Sequence, residues 1–207
     1  MTHHDQPPLD LTALQQHLEG DVRSDAIHCA MLATDGSIFS VRPAGVVYPR
    51  TTADVCRTVR FAAARNLTLH ARGAGSGLTG GSLGRGLVVD FTRYMNRLIR
   101  LDTTAKTFEC EPGYRFGELQ ALLKDQRLFF PPDPSSGEYA TFGGMLGTNA
   151  SGSHSVKYGN VADYLEDAEV VLATGDVIRL SDIMGRARGD LPDNLRRLAE
   201  LYEGNSM

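Results

Sequence analysis

The 207-residue sequence contains no tryptophan, only three cysteines and no long apolar run. The cysteines are odd in number and far apart, so they indicate neither a disulfide framework nor an iron–sulfur motif. No apolar run approaches the roughly 20 residues of a membrane helix, and the first ten residues lack the pattern of a secretory signal. We therefore expect a cytoplasmic protein, with peripheral attachment to the inner face of the membrane left open.

The sequence also lacks an excess of positive charge. Its net charge is -4, and its 21 lysine and arginine residues are scattered along the chain. This distribution argues against a nucleic-acid or anionic-membrane surface as the main partner. The histidines show no metal-ligand spacing, so we expect no metal.

Glycine, by contrast, is concentrated in two segments, "RGAGSGLTGG" at 72–81 and "TFGGMLGTNASGS" at 141–153. Successive amides in a glycine-rich turn can form a concave nest for an anion, and glycine lets the main chain approach a phosphate closely. The first segment matches the dinucleotide motif G-x-G-x-x-G, but no helix follows it, so a Rossmann site is rejected. A glycine turn without any ligand stays open as an alternative.

The remaining pattern indicates mixed α and β structure. A β-α-β unit is expected from Val46 to Ala71, with Thr51 as the N-cap of its helix, and a further buried strand follows within 85–93. Two strands are expected within 96–113, a helix within 115–126 and a hairpin within 166–180. Residues 129–164 are expected to form a long loop with little regular structure.

Four blocks occur in the order and spacing of the FAD-linked oxidases: "RGAGSGLTGG", "FPPDPSS", "TFGGMLGTNASGSHSVKYG" and "EVVLATGDVI". The chain resembles the vanillyl-alcohol-oxidase/p-cresol-methylhydroxylase (PCMH) type of that family from about residue 40 to 181. It looks closest to the glycolate oxidase flavin subunit, the D-lactate dehydrogenases and the D-2-hydroxyglutarate dehydrogenases. The resemblance implies an α+β fold: a PCMH-type FAD-binding domain of two α/β subdomains at 40–182, not a Rossmann fold. A helical segment at 1–39 would precede it, and a helical tail at 183–207 would follow.

The resemblance also implies positions for the cofactor. The residues that would hold the FAD pyrophosphate are Arg72, Gly73, Ala74, Gly75, Ser76 and Gly77. The residues that would lie along the flavin are Pro132, Asp133, Ser136, Thr141, Gly143 and Gly144. Contacts with the ribityl–phosphate region or the ring edge would come from Thr148, Asn149 and Gly152, and Val171 would present its backbone to adenine. Covalent relatives carry a histidine where this chain has Ser76, so we expect non-covalent FAD.

The implied activity is oxidation of a small 2-hydroxy acid by hydride transfer to flavin N5, with an external electron acceptor. The catalytic residues are unknown and are expected in a downstream region beyond these residues, in a longer enzyme. His154 is expected to be an exposed loop histidine, Asp133 either a flavin contact or a turn residue, and the carboxylates at 166–169 a solvated strand face. The chain could associate with a downstream domain or with a second copy of itself. Two alternatives remain: a non-catalytic flavin- or nucleotide-binding module that needs a partner chain, and a structural domain without cofactor.

Overall fold

The computed structural model describes residues 10–183 together with residues 191, 195 and 196. The expected helical tail at 183–207 therefore lies almost entirely outside the described residues. None of the helices in the described part is both long enough and apolar enough to cross a bilayer.

A four-stranded sheet forms the first half of the structure, in the order β1-β2-β4-β3. Strands β2, β3 and β4 run parallel, and β1 pairs antiparallel with β2 at one edge. The central strands β2 and β4 are buried along their whole length, which explains their continuous valine and leucine runs. The strands are β1 (Asp21–Arg23), β2 (Gly45–Tyr48), β3 (Leu69–Arg72) and β4 (Leu87–Asp90).

Helix α3 (Thr52–Ala63) connects β2 to β3, which confirms the β-α-β unit. The Thr51 hydroxyl accepts a hydrogen bond from the Asp54 backbone N–H at 3.2 Å, as expected of an N-cap. Asp54 itself is fully buried. Its carboxylate accepts backbone N–H groups from Glu19, Gly20 and Arg50, each at 3.0 Å, and so fastens the N-terminal segment to the helix.

The N-terminal segment is less purely helical than the sequence indicates. It contains α1 (Thr12–Gln15) and α2 (Ala26–Met31), but the strand β1 lies between them. A three-residue strand is too short to show the alternation that identifies strands in a sequence. The buried leucines around α1 pack into the same core as Val47 and Leu87, so this segment belongs physically to the sheet.

A second core follows the sheet. The hairpin of β5 (Leu98–Asp102) and β6 (Thr107–Cys110) and the helix α4 (Phe116–Lys124) occur as expected. Aromatic side chains fill the space between them, with the rings of Phe108 and Phe142 only 4.9 Å apart. The buried members of this core are Tyr114, Phe116, Leu119, Leu123, Phe130, Ala140, Phe142, Met145 and Val161.

The expectation of a long irregular loop at 129–164 is wrong in part. This stretch contains α5 (Phe142–Gly147), α6 (Ser155–Tyr158) and a short 3-10 turn, Val161–Tyr164. Glycines at three of its six positions make α5 a poor helix by propensity. The helix forms because Phe142 and Met145 are buried and because the Thr141 hydroxyl accepts the Gly144 N–H at 3.3 Å.

The expected hairpin is confirmed as β7 (Glu169–Val171) and β8 (Val177–Arg179). It packs on α3, where the Thr52 hydroxyl donates to Glu169 Oε1 at 2.6 Å and Arg60 donates to the Gly175 carbonyl at 2.8 Å. The nearby carboxylates are not a purely solvated face, since Asp167 accepts both the N–H and the hydroxyl of Ser181.

Candidate cofactor-binding site

The loop from Gly73 to Ser82, which forms most of the connection between β3 and β4, has backbone amides without internal partners. Within the described part of the chain, none of its N–H groups donates a hydrogen bond to another residue. Its carbonyls are partly occupied, because Gly75 O accepts the Gly36 N–H at 2.7 Å and Gly80 O accepts the Leu83 N–H at 3.1 Å. Amides without partners must bind water or a ligand, so this loop can accept an anion.

Two glycines give the loop its shape. Gly75 has φ +67° and Gly80 has φ +74°, a region that other residues adopt rarely. A Cβ atom at Gly75 would also overlap the guanidinium group of Arg72. At Gly77 a Cβ atom would meet nothing within 4 Å, so this part of the loop borders open space.

The Arg72 side chain lies behind this loop rather than in front of it. The residue is only 8% exposed. Its guanidinium donates to the Thr34 carbonyl at 2.9 Å and lies 3.5 Å from the Ser82 hydroxyl. The fixed positive charge expected beside a phosphate is therefore buried against Gly75 and is not part of the exposed surface of the loop.

The second glycine segment meets the first at one point. A Cβ atom at Gly73 would overlap the hydroxyl oxygen of Thr141, which is itself buried. The amides that open α5 are already used: Phe142 N donates to Tyr114 O at 2.9 Å and Gly143 N donates to Pro112 O at 2.8 Å. The Gly144 N–H is also hydrogen-bonded, to the Thr141 hydroxyl. This turn therefore packs closely against the loop but offers no free N–H donor from these three residues.

Asp133 ties the "FPPDPSS" turn to the end of the second segment. Its carboxylate accepts the His154 backbone N–H at 3.0 Å and the Ser153 hydroxyl at 2.9 Å, and it pairs with His154 Nδ1 at 2.9 Å. The pKa of Asp133 is lowered, chiefly by the hydrogen bond from the His154 backbone N–H. Desolvation acts in the opposite direction, and the Ser153 hydroxyl and the His154 ring lower the pKa further. His154 is exposed, as expected, but it is a partner of Asp133 and not an isolated loop residue.

Gly152 packs against the backbone of Asp133, where a Cβ atom would overlap the carbonyl group. A shallow cleft of about 500 Å³ lies beside this junction and is lined by Phe116, Glu138 and the neighbouring serines. Pro132 is fully buried within the protein, and Ser136 accepts the Tyr139 N–H through its carbonyl. Contact of these residues with a flavin stays a prediction.

The remaining candidates stabilise their own segments. The Thr148 hydroxyl donates to Gly144 O at 2.9 Å. Asn149 has φ +44°, and its side-chain oxygen accepts the Ala162 N–H at 3.0 Å. Val171 pairs with Val177 in the β7–β8 hairpin. Their expected contacts with the cofactor stay predictions as well.

One group of residues at this site, Thr34 to Phe39, was not predicted from the sequence. This segment touches the loop at several points, although it shows no motif and precedes the resemblance, which starts at about residue 40. The "DG" pair signals a turn, but a turn signal does not reveal which distant loop it contacts. Among the described residues no group of three or more histidine, cysteine or acidic side chains could hold a metal ion.

Relatives of this chain are larger proteins whose names are those of hydroxy-acid dehydrogenases and of a glycolate oxidase subunit. The chain is 37% identical over 170 residues to a D-2-hydroxyglutarate dehydrogenase of Pantoea ananatis. The matched region covers 81% of this chain but 17% of the relative. It is 35% identical over 143 residues to glycolate oxidase subunit GlcD of Bacillus subtilis, covering 68% of this chain and 30% of the relative. The chain thus spans less than a third of the length of these relatives.

A solved structure has the same fold. The 6-hydroxy-D-nicotine oxidase of Arthrobacter nicotinovorans superposes with a TM-score of 0.69 at 27% sequence identity, over 81% of this chain and 37% of the oxidase. The expected PCMH-type fold is confirmed by this likeness. A protein-family model described as "FAD binding domain" matches residues 43–181, well over half of the sequence. The chain therefore belongs to the FAD-binding domain family of the FAD-linked oxidoreductases.

Proposed function

We propose that this chain is the FAD-binding portion of a dehydrogenase that oxidises a 2-hydroxy acid of the D-2-hydroxyglutarate, D-lactate or glycolate type. The names of its relatives support this substrate class. The single observation that carries the cofactor assignment is the row of unpartnered amides from Gly73 to Ser82, shaped by two glycines with positive φ.

The residues present fit FAD. The amides from Gly73 to Gly77 would hold the pyrophosphate, because a concave row of N–H groups binds an anion without needing a helix. The buried charge of Arg72 adds a favourable potential from below. Ser76 stands where covalent relatives carry a histidine, so we expect non-covalent binding.

A bound FAD would supply the redox chemistry of hydride transfer, for which an external electron acceptor would be needed. The chain binds and orients the cofactor. His154, the histidine of the second glycine segment, is paired with Asp133. The base and the second wall that excludes water would come from a downstream region or a partner chain.

The test is titration of the purified chain with FAD, followed by flavin fluorescence and calorimetry, and then an assay with an artificial electron acceptor. D-2-hydroxyglutarate, D-lactate and glycolate are the substrates. The proposal expects saturable FAD binding without useful turnover. Absence of FAD binding by folded protein would reject it. Turnover by the chain alone would place the catalytic groups within these residues.

A further inference from the structure

The loop from Gly73 to Ser82 is held by a second segment, Thr34–Phe39, that lies outside the residues matched by the family model. The closest contact is between backbones. Gly36 N donates to Gly75 O at 2.7 Å, and a Cβ atom at Gly36 would lie 2.8 Å from Ser76 O. No side chain fits between the two segments at this point.

A chain of polar contacts reinforces this backbone contact. Arg72 donates to Thr34 O at 2.9 Å, and the Ser82 hydroxyl donates to Asp35 Oδ2 at 2.9 Å. Asp35 Oδ1 also accepts the Ser37 N–H at 2.9 Å, which fixes the turn of its own segment. Arg72, which directly precedes the loop, and Ser82, at the end of the loop, are therefore both hydrogen-bonded to the same short turn.

Asp35 is ionised in this arrangement. Desolvation raises its pKa, but the hydrogen bonds from Ser37 and Ser82 and the charge of Arg72 together outweigh that effect, so the pKa is lowered. An ionised carboxylate accepts a stronger hydrogen bond than a neutral amide oxygen does. Loss of this charge should consequently weaken the Ser82 contact, as well as the Ser37 contact within the turn.

A third contact lies near the far end of the loop. A Cβ atom at Gly80 would lie 3.0 Å from the Phe39 ring and 3.6 Å from the Ser37 hydroxyl oxygen. The Phe39 ring thus packs against the glycine that carries φ +74°. The contacts with Thr34–Phe39 occupy loop carbonyls and side chains and leave the loop amides free.

We propose that Thr34–Phe39 is a positioning segment that pre-orders the amide loop for the FAD pyrophosphate, with Asp35 and Gly36 as its principal residues. This inference rests on the proposed function for its ligand. Ordering the loop in advance reduces the entropy lost when an anion binds. Asp35 acts through Ser82 and the loop backbone, and it is a positioning residue rather than a ligand.

The experiment compares Asp35→Asn with Asp102→Asn in the whole chain. Asp102 is a matched control because it too accepts backbone N–H groups in a turn, from Thr104 and Ala105, and its pKa is lowered as well, chiefly by the Ala105 hydrogen bond. Two quantities are measured: NMR order parameters of the loop amides without cofactor, and dissociation constants for FAD and for ADP. ADP carries the pyrophosphate without the flavin ring.

We expect Asp35→Asn to lower the order parameters of residues 73–82. It should also raise the dissociation constants for FAD and for ADP by the same factor, about tenfold. Asp102→Asn should change neither quantity, and Asp35→Glu should restore part of the affinity. Unchanged loop order in folded Asp35→Asn would overturn the inference, as would a loss confined to FAD. If the loop loosens but the wild-type chain binds neither ligand, the proposed function fails while the positioning of the loop stands.

Discussion

Gly73 packs directly against the hydroxyl group of Thr141, with no room for a Cβ atom between them. Gly73 begins the loop after β3, and Thr141 caps α5 in the second core. Two glycine-rich segments that are far apart in the sequence therefore meet at this contact. The contact couples the position of the amide loop to the first turn of α5.

Replacement of Gly73 tests this coupling. Gly73→Ala should lower the free energy of unfolding by about 1–3 kcal/mol, because the new methyl group overlaps a buried hydroxyl. Thr141→Ala should cost about 1 kcal/mol through loss of the cap. The double variant should be less destabilised than the sum, since removing the hydroxyl makes room for the methyl group. Urea unfolding measures all three, and simple additivity would show that the two residues are not in contact.

Gly77 offers a test of ligand contact that leaves the fold undisturbed. Its Cβ would meet nothing within 4 Å and its φ is not in the left-handed region, so Gly77→Ala should unfold like the wild type. The added methyl group should nevertheless weaken FAD binding about tenfold by blocking approach to the amides. Gly147→Ala is the matched control, because a Cβ there also meets open space. Equal affinities for both variants would mean that the ligand does not approach Gly77.

The lowered pKa of Asp133 predicts a dependence of stability on acid. A carboxylate with a pKa below its usual value of 3.8 adds stability above about pH 3.8, and this contribution is lost as the pH falls through the lowered value. Asp133→Asn should therefore be less stable than the wild type at pH 7, and its stability should fall less on acidification. Urea unfolding between neutral and acid pH measures the difference. Parallel curves for the two proteins would contradict the assignment of the shift.

Ser76 predicts how the cofactor is released. Acid precipitation of the FAD-loaded chain should leave all of the flavin colour in the supernatant, because no histidine stands at this position to form a covalent bond. Absorbance of the separated fractions measures this directly. A pellet that stays yellow after washing would contradict non-covalent binding.

Local signals in the sequence were sufficient to predict many of the helices and strands. The Thr51 cap, the continuous apolar runs of β2 and β4 and the turn between β5 and β6 each depend on neighbouring residues, and the structure confirms these elements. Helix α5 was missed because its stability comes from burial of Phe142 and Met145, which overrides the low helix propensity of its glycines.

The candidate site could be predicted only in part, because its geometry depends on contacts between residues that are distant in the sequence. The first glycine loop could be recognised because glycine and arginine are visible in the sequence. Which of its groups remain free depends on contacts between distant residues, such as Gly36 with Gly75 and Arg72 with Thr34. The sequence likewise does not reveal that Pro112 and Tyr114 occupy the amides of α5. The two glycine segments look alike in sequence, but in the structure the first has backbone amides without partners and the amides that open α5 are hydrogen-bonded.

We propose above all that the backbone amides of residues 73–77 bind the pyrophosphate of FAD. The most direct measurement is an amide-resolved NMR titration of the isotopically labelled chain with ADP and then with FAD. We predict that the amides from Gly73 to Gly77 shift strongly and saturably with both ligands, while Phe142 and Gly143 keep their hydrogen bonds to Tyr114 and Pro112. Saturable binding of FAD that leaves the amides of residues 73–82 unshifted would contradict the account.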